Sequence, residues 1–217
     1  MTTSETQYNN RPPRSGPPVW VWGVSACACL PIAAVILLAV LLTPMFKRVR
    51  EARRESETTL TCISNVKQIG TSVQMYTQDY DETYPLSATW MDGISPYLGN
   101  PNSDKTRNVL QCPAVHVTNP TGYGYAFSNK LSGKSSQKIN APALTQMVYD
   151  STNLTKNASD AVTSLPSPAR HRPRGVRGFR GQRVNTMGFA DGHVKAQTTD
   201  GKAVNPSPGT NSGSNGE

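Results

Sequence analysis

The sequence predicts an α+β fold, in which a long N-terminal helix packs on a small antiparallel β-sheet. Three observations favour it: an uncharged apolar segment near the N-terminus, an apolar stripe at helical spacing after it, and two short strand-like runs joined by Asp-Gly near the C-terminus. A helix followed by short strands is typical of α+β proteins. The chain has 217 residues and a net charge of +8, enough for one compact domain beside the apolar segment.

The apolar segment is long enough to cross a membrane. Residues 15–46 contain no charge over 32 positions, and a membrane-spanning helix needs about 20 apolar residues. A cleavable secretory signal has an apolar stretch of only about 7–15 residues, and Cys27 resembles a lipidation site only in its immediate neighbours. We therefore predict a disordered Pro-rich lead over residues 1–18 and a retained transmembrane helix over residues 19–46.

The next segment, residues 47–84, predicts an amphipathic extension of the same helix. Arg and Glu first alternate at three- and four-residue spacings, which favour an exposed helix. Apolar residues then recur at the same spacing, as on a helix face buried against a partner. This stripe consists of Leu60, Ile63, Val66, Ile69, Val73, Tyr76 and Tyr80. Pro85 ends the helix, while Pro31 and Pro44 are sites at which it could kink.

Residues 85–199 predict a β-rich domain with an Arg-rich loop over residues 168–185. Short segments separated by Gly, Pro, Asn and Ser predict a helix over 87–98 and strands over 123–127 and 146–150.

The clearest β signal lies near the end of this domain. Two strand-like runs, residues 186–190 and 193–196, are joined by Asp191-Gly192. Asp-Gly suits a two-residue turn with positive φ at both positions, so we predict a hairpin here. The tail over residues 200–217 is rich in Gly, Ser, Asn and Pro, which predicts disorder.

Several motifs occur in the order found in one bacterial family. They are Thr43-Pro44-Met45-Phe46, the run from Cys62 to Gly70, the run from Tyr76 to Pro85, Cys112-Pro113, the run from Tyr125 to Asn129, Asp150-Ser151, Arg170-His171, and the run from Phe189 to Val194. In these motifs the chain resembles bacterial pseudopilin-like proteins, relatives of the type II secretion major pseudopilins, of the prepilin-associated His-x(n)-Asp-Gly type. It lacks their usual prepilin cleavage motif, because Gly23 is not followed by Phe-Thr-Leu-Ile-Glu, and nineteen residues separate His171 from Asp191.

The resemblance implies a pilin-like fold and a non-enzymatic structural role in the cell envelope or in secretion, without a cofactor. The partners that it implies are the lipid bilayer and other copies or other pilin-like subunits, and calcium is the metal that it admits. It also implies a bacterial inner-membrane protein whose C-terminal domain lies on the periplasmic or exterior side. The basic residues just after residue 46 favour the cytoplasmic side instead. We follow the resemblance for the orientation.

Two cysteines, Cys62 and Cys112, lie outside the predicted membrane segment. Neither belongs to a Cys-x-x-Cys or Cys/His grouping of the kind that structural zinc sites use. Outside the cytoplasm, such a pair predicts a disulfide, and two buried free thiols are the alternative. Either role is structural.

The residues that could bind a metal or act as acid and base are Asp150, His171 and Asp191, with His193 nearby in the sequence. Asp191 already has a sufficient role in the predicted turn. A metal-dependent enzyme would require His171 and Asp191 to meet in the fold. The sequence contains no nucleophile elbow, phosphate loop or His-Glu-x-x-His motif, so we predict neither catalysis nor a metal.

An Arg-rich cluster, with Gly and Phe179 between the arginines, suits contact with an anionic polymer. Its members are Arg170, Arg172, Arg174, Arg177, Arg180 and Arg183. The alternative function is therefore a membrane-tethered binding module for an anionic polymer, with polysaccharide expected rather than nucleic acid. A solvated loop is the competing interpretation.

Overall fold

The computed structural model describes residues 19–173, 182–198 and 203–204, and it describes no side chains for 19–34 or 203–204. The chain divides into two compact units at Val49. In the first unit the described residues are helical. The second unit contains the sheet.

Helix α1 runs from Val19 to Asp79 without interruption at Pro31 or Pro44. The predicted long helix is therefore confirmed, although it ends at Asp79 and not at the predicted boundary of residue 84. Within the described residues, no helix is both long and apolar enough to cross a membrane. The side chains of the first part of the predicted span, residues 19–34, lie outside the described residues. The transmembrane assignment stays a prediction.

The middle of the predicted apolar stripe is buried in the second unit. Cys62, Val66, Ile69 and Val73 have no exposed surface and belong to the main hydrophobic core. The prediction of burial is wrong for the first and last residues of the stripe, because Leu60 is 50% exposed and Tyr80 is 54% exposed. The buried face of α1 instead continues at both ends through polar residues, because Thr59 is 0% and Thr77 is 2% exposed.

Six strands form one mixed sheet in the order β3-β1-β2-β4-β5-β6. Their bounds are β1 Tyr125–Ser128, β2 Gln146–Asp150, β3 Ser159–Asp160, β4 Asn185–Phe189, β5 Val194–Gln197 and β6 Ala203–Val204. β3 runs parallel to β1, and the other four neighbouring pairs are antiparallel. The prediction of a purely antiparallel sheet is therefore wrong. Helix α1 approaches β4 closely, since a Cβ at Gly188 would lie 3.0 Å from Val66 Cγ1.

The predicted hairpin is confirmed, but its turn differs from the predicted one. β4 ends at Phe189 and β5 starts at Val194, so the connection is longer than two residues. Gly192 has a φ of 88°, whereas Asp191 is not in the positive-φ region. Asp191 instead accepts a hydrogen bond from the His193 backbone N–H, at 3.1 Å. The Asp191 carboxylate thereby stabilises the connection, and the predicted two-residue turn with positive φ at both positions does not form.

Three short α-helices and two further 3₁₀ turns, Ser136–Lys138 and Pro142–Leu144, complete the described fold. The α-helices are α2 Trp90–Ile94, continued by a 3₁₀ turn over Ser95–Leu98, α3 Asp104–Leu110 and α4 Pro113–His116. α2 and its 3₁₀ turn correspond to the predicted helix over 87–98. β6 lies in the tail that was predicted to be disordered, which corrects that prediction for Ala203 and Val204. The predicted lead over 1–18 and the rest of the tail lie outside the described residues.

Candidate functional site

Four elements meet at a buried polar cluster. Cys62 comes from the buried face of α1, and Cys112 directly precedes α4. Asp150 is the last residue of β2, and His171 follows the loop after β3. All four side chains are at most 3% exposed. We call these residues, with Arg170 and Tyr125, the buried cluster.

The two cysteines are in direct contact. Their Sγ atoms lie 2.8 Å apart, and both are free thiols in this structure. A disulfide bond is about 2.05 Å long. The fold therefore brings the two predicted partners together, and the bond between them stays a prediction.

Asp150 organises the polar half of the buried cluster. Its Oδ2 atom lies 3.0 Å from His171 Nε2 and accepts a 2.6 Å hydrogen bond from the backbone N–H of Thr186. Its Oδ1 atom lies 3.3 Å from Arg170 Nη1. A fully buried carboxylate is tolerated only with such partners, so three parts of the chain are held together at the end of β2.

Arg170 is part of this interior network and not of a surface cluster. Besides Asp150, its guanidinium donates to the carbonyl of Gly124 at 2.6 Å and to the carbonyl of Ser151. These contacts hold the Nη1 and Nη2 donors of Arg170 inside the protein, which argues against its predicted role in binding an anionic polymer. Arg172 and Arg183 are exposed. The other three predicted arginines, Arg174, Arg177 and Arg180, lie outside the described residues.

Burial and neighbouring charges shift the pKa values of Asp150 and His171 in opposite directions. Burial by itself would raise the pKa of Asp150, but His171 and Arg170 hold it below its usual value. Burial would lower the pKa of His171, but Asp150 and Cys112 raise it to about 10. Burial likewise raises the pKa of Cys62, with Cys112 adding to the effect. The cluster is thus an ion-paired network next to two thiols.

The arrangement does not have the geometry of a nucleophilic triad. In a triad, the carboxylate binds the imidazole nitrogen that does not face the nucleophile. Here His171 Nε2 faces both Asp150, at 3.0 Å, and the Cys112 sulfur, at 3.9 Å. Cys112 is also fully buried, so a substrate has no access to its sulfur.

The three predicted metal-ligand candidates are only partly brought together. His171 and Asp150 meet, but Asp191 contacts His193, with 2.5 Å between the carboxylate Oδ1 and His193 Nδ1. A different set satisfies the distance requirement of a metal site. The donor atoms of Cys62, Cys112 and His171 all lie within 4.8 Å of one another.

Tyr125 is the member of the cluster that sequence analysis missed as a site residue. Its hydroxyl is buried and has no hydrogen-bond partner of normal geometry among the described residues. Burial and the two neighbouring thiols raise its pKa. Tyr125 begins one of the motifs that carry the family resemblance, but the sequence contains no signal for its contact with the thiols, which arises only in the folded protein.

A cavity of about 420 Å³ reaches the edge of the cluster at His171. Arg172 and Arg183 line it, together with Glu51 and Glu55 of α1. Because charges of both signs meet there, the described part of the cavity is not a purely cationic surface.

No family model matches the chain, and no match is found among the curated proteins or the solved structures. The resemblance to pseudopilins therefore rests on the motifs quoted above.

Proposed function

We propose that the protein is a non-enzymatic, membrane-anchored structural protein of the bacterial envelope, similar to a pseudopilin. The N-terminal part of α1 is the anchor, and the sheet-containing unit is the domain on the periplasmic or exterior side. In this proposal, bilayer contact and contact with other helical subunits are the functions of the anchor.

The observation that carries the proposal is an apolar run of α1 with exposed side chains. Val35, Leu37 and Leu41 are 62–65% exposed, and Leu38 and Val40 are 56% and 60% exposed. These residues point in different directions around the helix, so the run is apolar on all sides. Soluble monomers rarely expose continuous apolar surface of this kind to water. In a bilayer, the lipid chains would cover this surface and keep it from water.

The buried cluster supports a structural role for the second unit. It links α1, the segment before α4 and two strands through charged and polar contacts that are inaccessible to a large substrate. Such a network specifies how a helix is fixed on a sheet.

The proposal is tested by placing charges in the apolar run. The double variant Leu37→Arg/Leu41→Arg should release the full-length chain from the alkali-washed membrane pellet into the supernatant, because a charge at the centre of a spanning helix costs about 2.5–3.5 kcal/mol. The matched control Ser64→Arg/Gln68→Arg has the same spacing on exposed positions of α1 and should stay in the pellet. Wild-type protein in the supernatant, or equal behaviour of both variants, would refute the anchor.

A further inference from the structure

We propose that, when its thiols are reduced, the buried cluster binds one zinc ion through Cys62 Sγ, Cys112 Sγ and His171 Nε2, with the Tyr125 hydroxyl at the fourth position. This inference does not depend on the proposed anchoring function. Two thiolates and an imidazole are ligands that Zn²⁺ prefers. The four residues come from separate parts of the chain and converge only in the folded protein.

The donor distances are close to those of a tetrahedral site. Zinc bonds of about 2.3 Å to sulfur and 2.0–2.1 Å to nitrogen place sulfur and nitrogen ligands about 3.6 Å apart. The observed distance from Cys112 Sγ to His171 Nε2 is 3.9 Å. The two sulfurs must separate from 2.8 Å to about 3.8 Å, which small rotations of both side chains achieve.

The Tyr125 hydroxyl is a further buried polar group beside the thiols. It interacts with the Cys62 thiol, but it makes no hydrogen bond of normal geometry among the described residues. Tyr125 is 0% exposed, and a fully buried hydroxyl without a hydrogen bond of normal geometry destabilises the fold. A bound ion at the thiols would supply the missing partner.

The charges around the cluster also fit a divalent cation. Two thiolates and the Asp150 carboxylate carry three negative charges, which Arg170 and Zn²⁺ together neutralise. Asp150 keeps its contacts with Arg170 and with the Thr186 N–H when His171 turns its lone pair to the metal. In this arrangement Asp150 gives up its contact with His171 Nε2, since the same nitrogen binds the metal.

The experiment measures the zinc content of the full-length chain, purified in detergent with reductant from zinc-supplemented cells. We expect about one zinc per chain in the reduced wild-type protein, and a thiolate-to-metal charge-transfer band after exchange for Co²⁺. Cys112→Ser should lose the ion and the band, while Tyr125→Phe should keep the band and bind zinc about tenfold more weakly. His116→Gln is the matched control, because this histidine is exposed outside the cluster.

The oxidised wild-type chain is a second control that needs no substitution. A disulfide removes both thiolates, so oxidation should abolish zinc binding in the same folded sequence. A folded, reduced wild-type chain with neither zinc nor the Co²⁺ band would overturn the proposal, and so would a Cys112→Ser chain that keeps both.

Discussion

Asp160 shows how single polar residues hold the edge of the sheet. Its Oδ1 atom accepts hydrogen bonds from the Tyr149 hydroxyl, at 2.8 Å, and from the Thr163 N–H, at 2.6 Å. Burial would raise the pKa of Asp160, but the hydrogen bonds from Ser164, Tyr149 and Thr163 lower it below its ordinary value. The ionised form is therefore the one that the fold stabilises.

The first prediction concerns the pH dependence of Asp160→Asn. Because the folded-state pKa is depressed, the wild-type carboxylate contributes stability above its unfolded-state pKa, and this contribution is lost as the pH falls through the folded-state value. We expect the variant to be less stable by about 1 kcal/mol at pH 7, since hydrogen bonds to a partly exposed charge are modest. The difference should shrink towards pH 3. Urea unfolding of both proteins at the two pH values measures it, and a difference that grows at low pH would contradict the assignment.

Individual residues of the buried cluster could be singled out from the sequence, but their partners could not. Cys62, Cys112, Asp150 and His171 were all candidates because of their residue types. Arg170 was assigned to a surface loop because its neighbours in sequence are arginines, yet its guanidinium points to the interior. Which arginine is buried depends on the position of the β2 terminus, and local composition does not encode that position.

At the scale of elements, α1 shows both the strength and the limit of periodicity. Steps of three and four residues correctly identify the face that carries Val66 and Ile69. The same steps include Leu60, which is half-exposed although the preceding Thr59 is fully buried. The apolar pattern misses Thr59 because this buried residue is polar. The sequence predicts the bounds of β2 because three consecutive apolar residues, 147–149, stand between polar ones. It does not predict α3, which is short and largely polar.

The second prediction compares two positions of this stripe. Ile69→Ala should lower the free energy of unfolding by about 2–5 kcal/mol, because it leaves a cavity at a fully buried site. Leu60→Ala removes a similar side chain from an exposed site and should change stability by no more than about 0.5 kcal/mol. Urea denaturation of the full-length chain in detergent measures both. A comparable loss of unfolding free energy in the two variants would mean that Leu60 belongs to the buried face of α1.

At the scale of the whole molecule, the α+β class followed from the helix stripe and the hairpin, whereas the strand order did not. The parallel pairing of β3 with β1 involves only Ser159 and Asp160 on the β3 side. A strand of two residues has no periodicity to detect, and long-range contacts select its partner. The same limit applies to β6, whose two residues lie in a polar tail.

The last prediction concerns how an oxidising compartment would cross-link the chain. In an oxidising compartment, the contact between the Cys62 and Cys112 sulfurs should become a disulfide. It would join α1 to the segment before α4 and stabilise the fold by about 4 kcal/mol, because it closes a loop of about 50 residues in the unfolded chain. Protein from native membranes should then have an intact mass lower by two hydrogen atoms than its reduced form. The reduced form should unfold at lower urea concentration.

The variant Cys62→Ser/Cys112→Ser separates the cross-link from the local packing of the thiols. It should resemble the reduced wild-type chain in stability and should not respond to reductant. A native chain with both thiols free would instead place the domain in a reducing compartment, where the cluster is available for zinc. The oxidation state of this one pair therefore reports the redox compartment of the domain and decides whether the two thiolates are available to a metal.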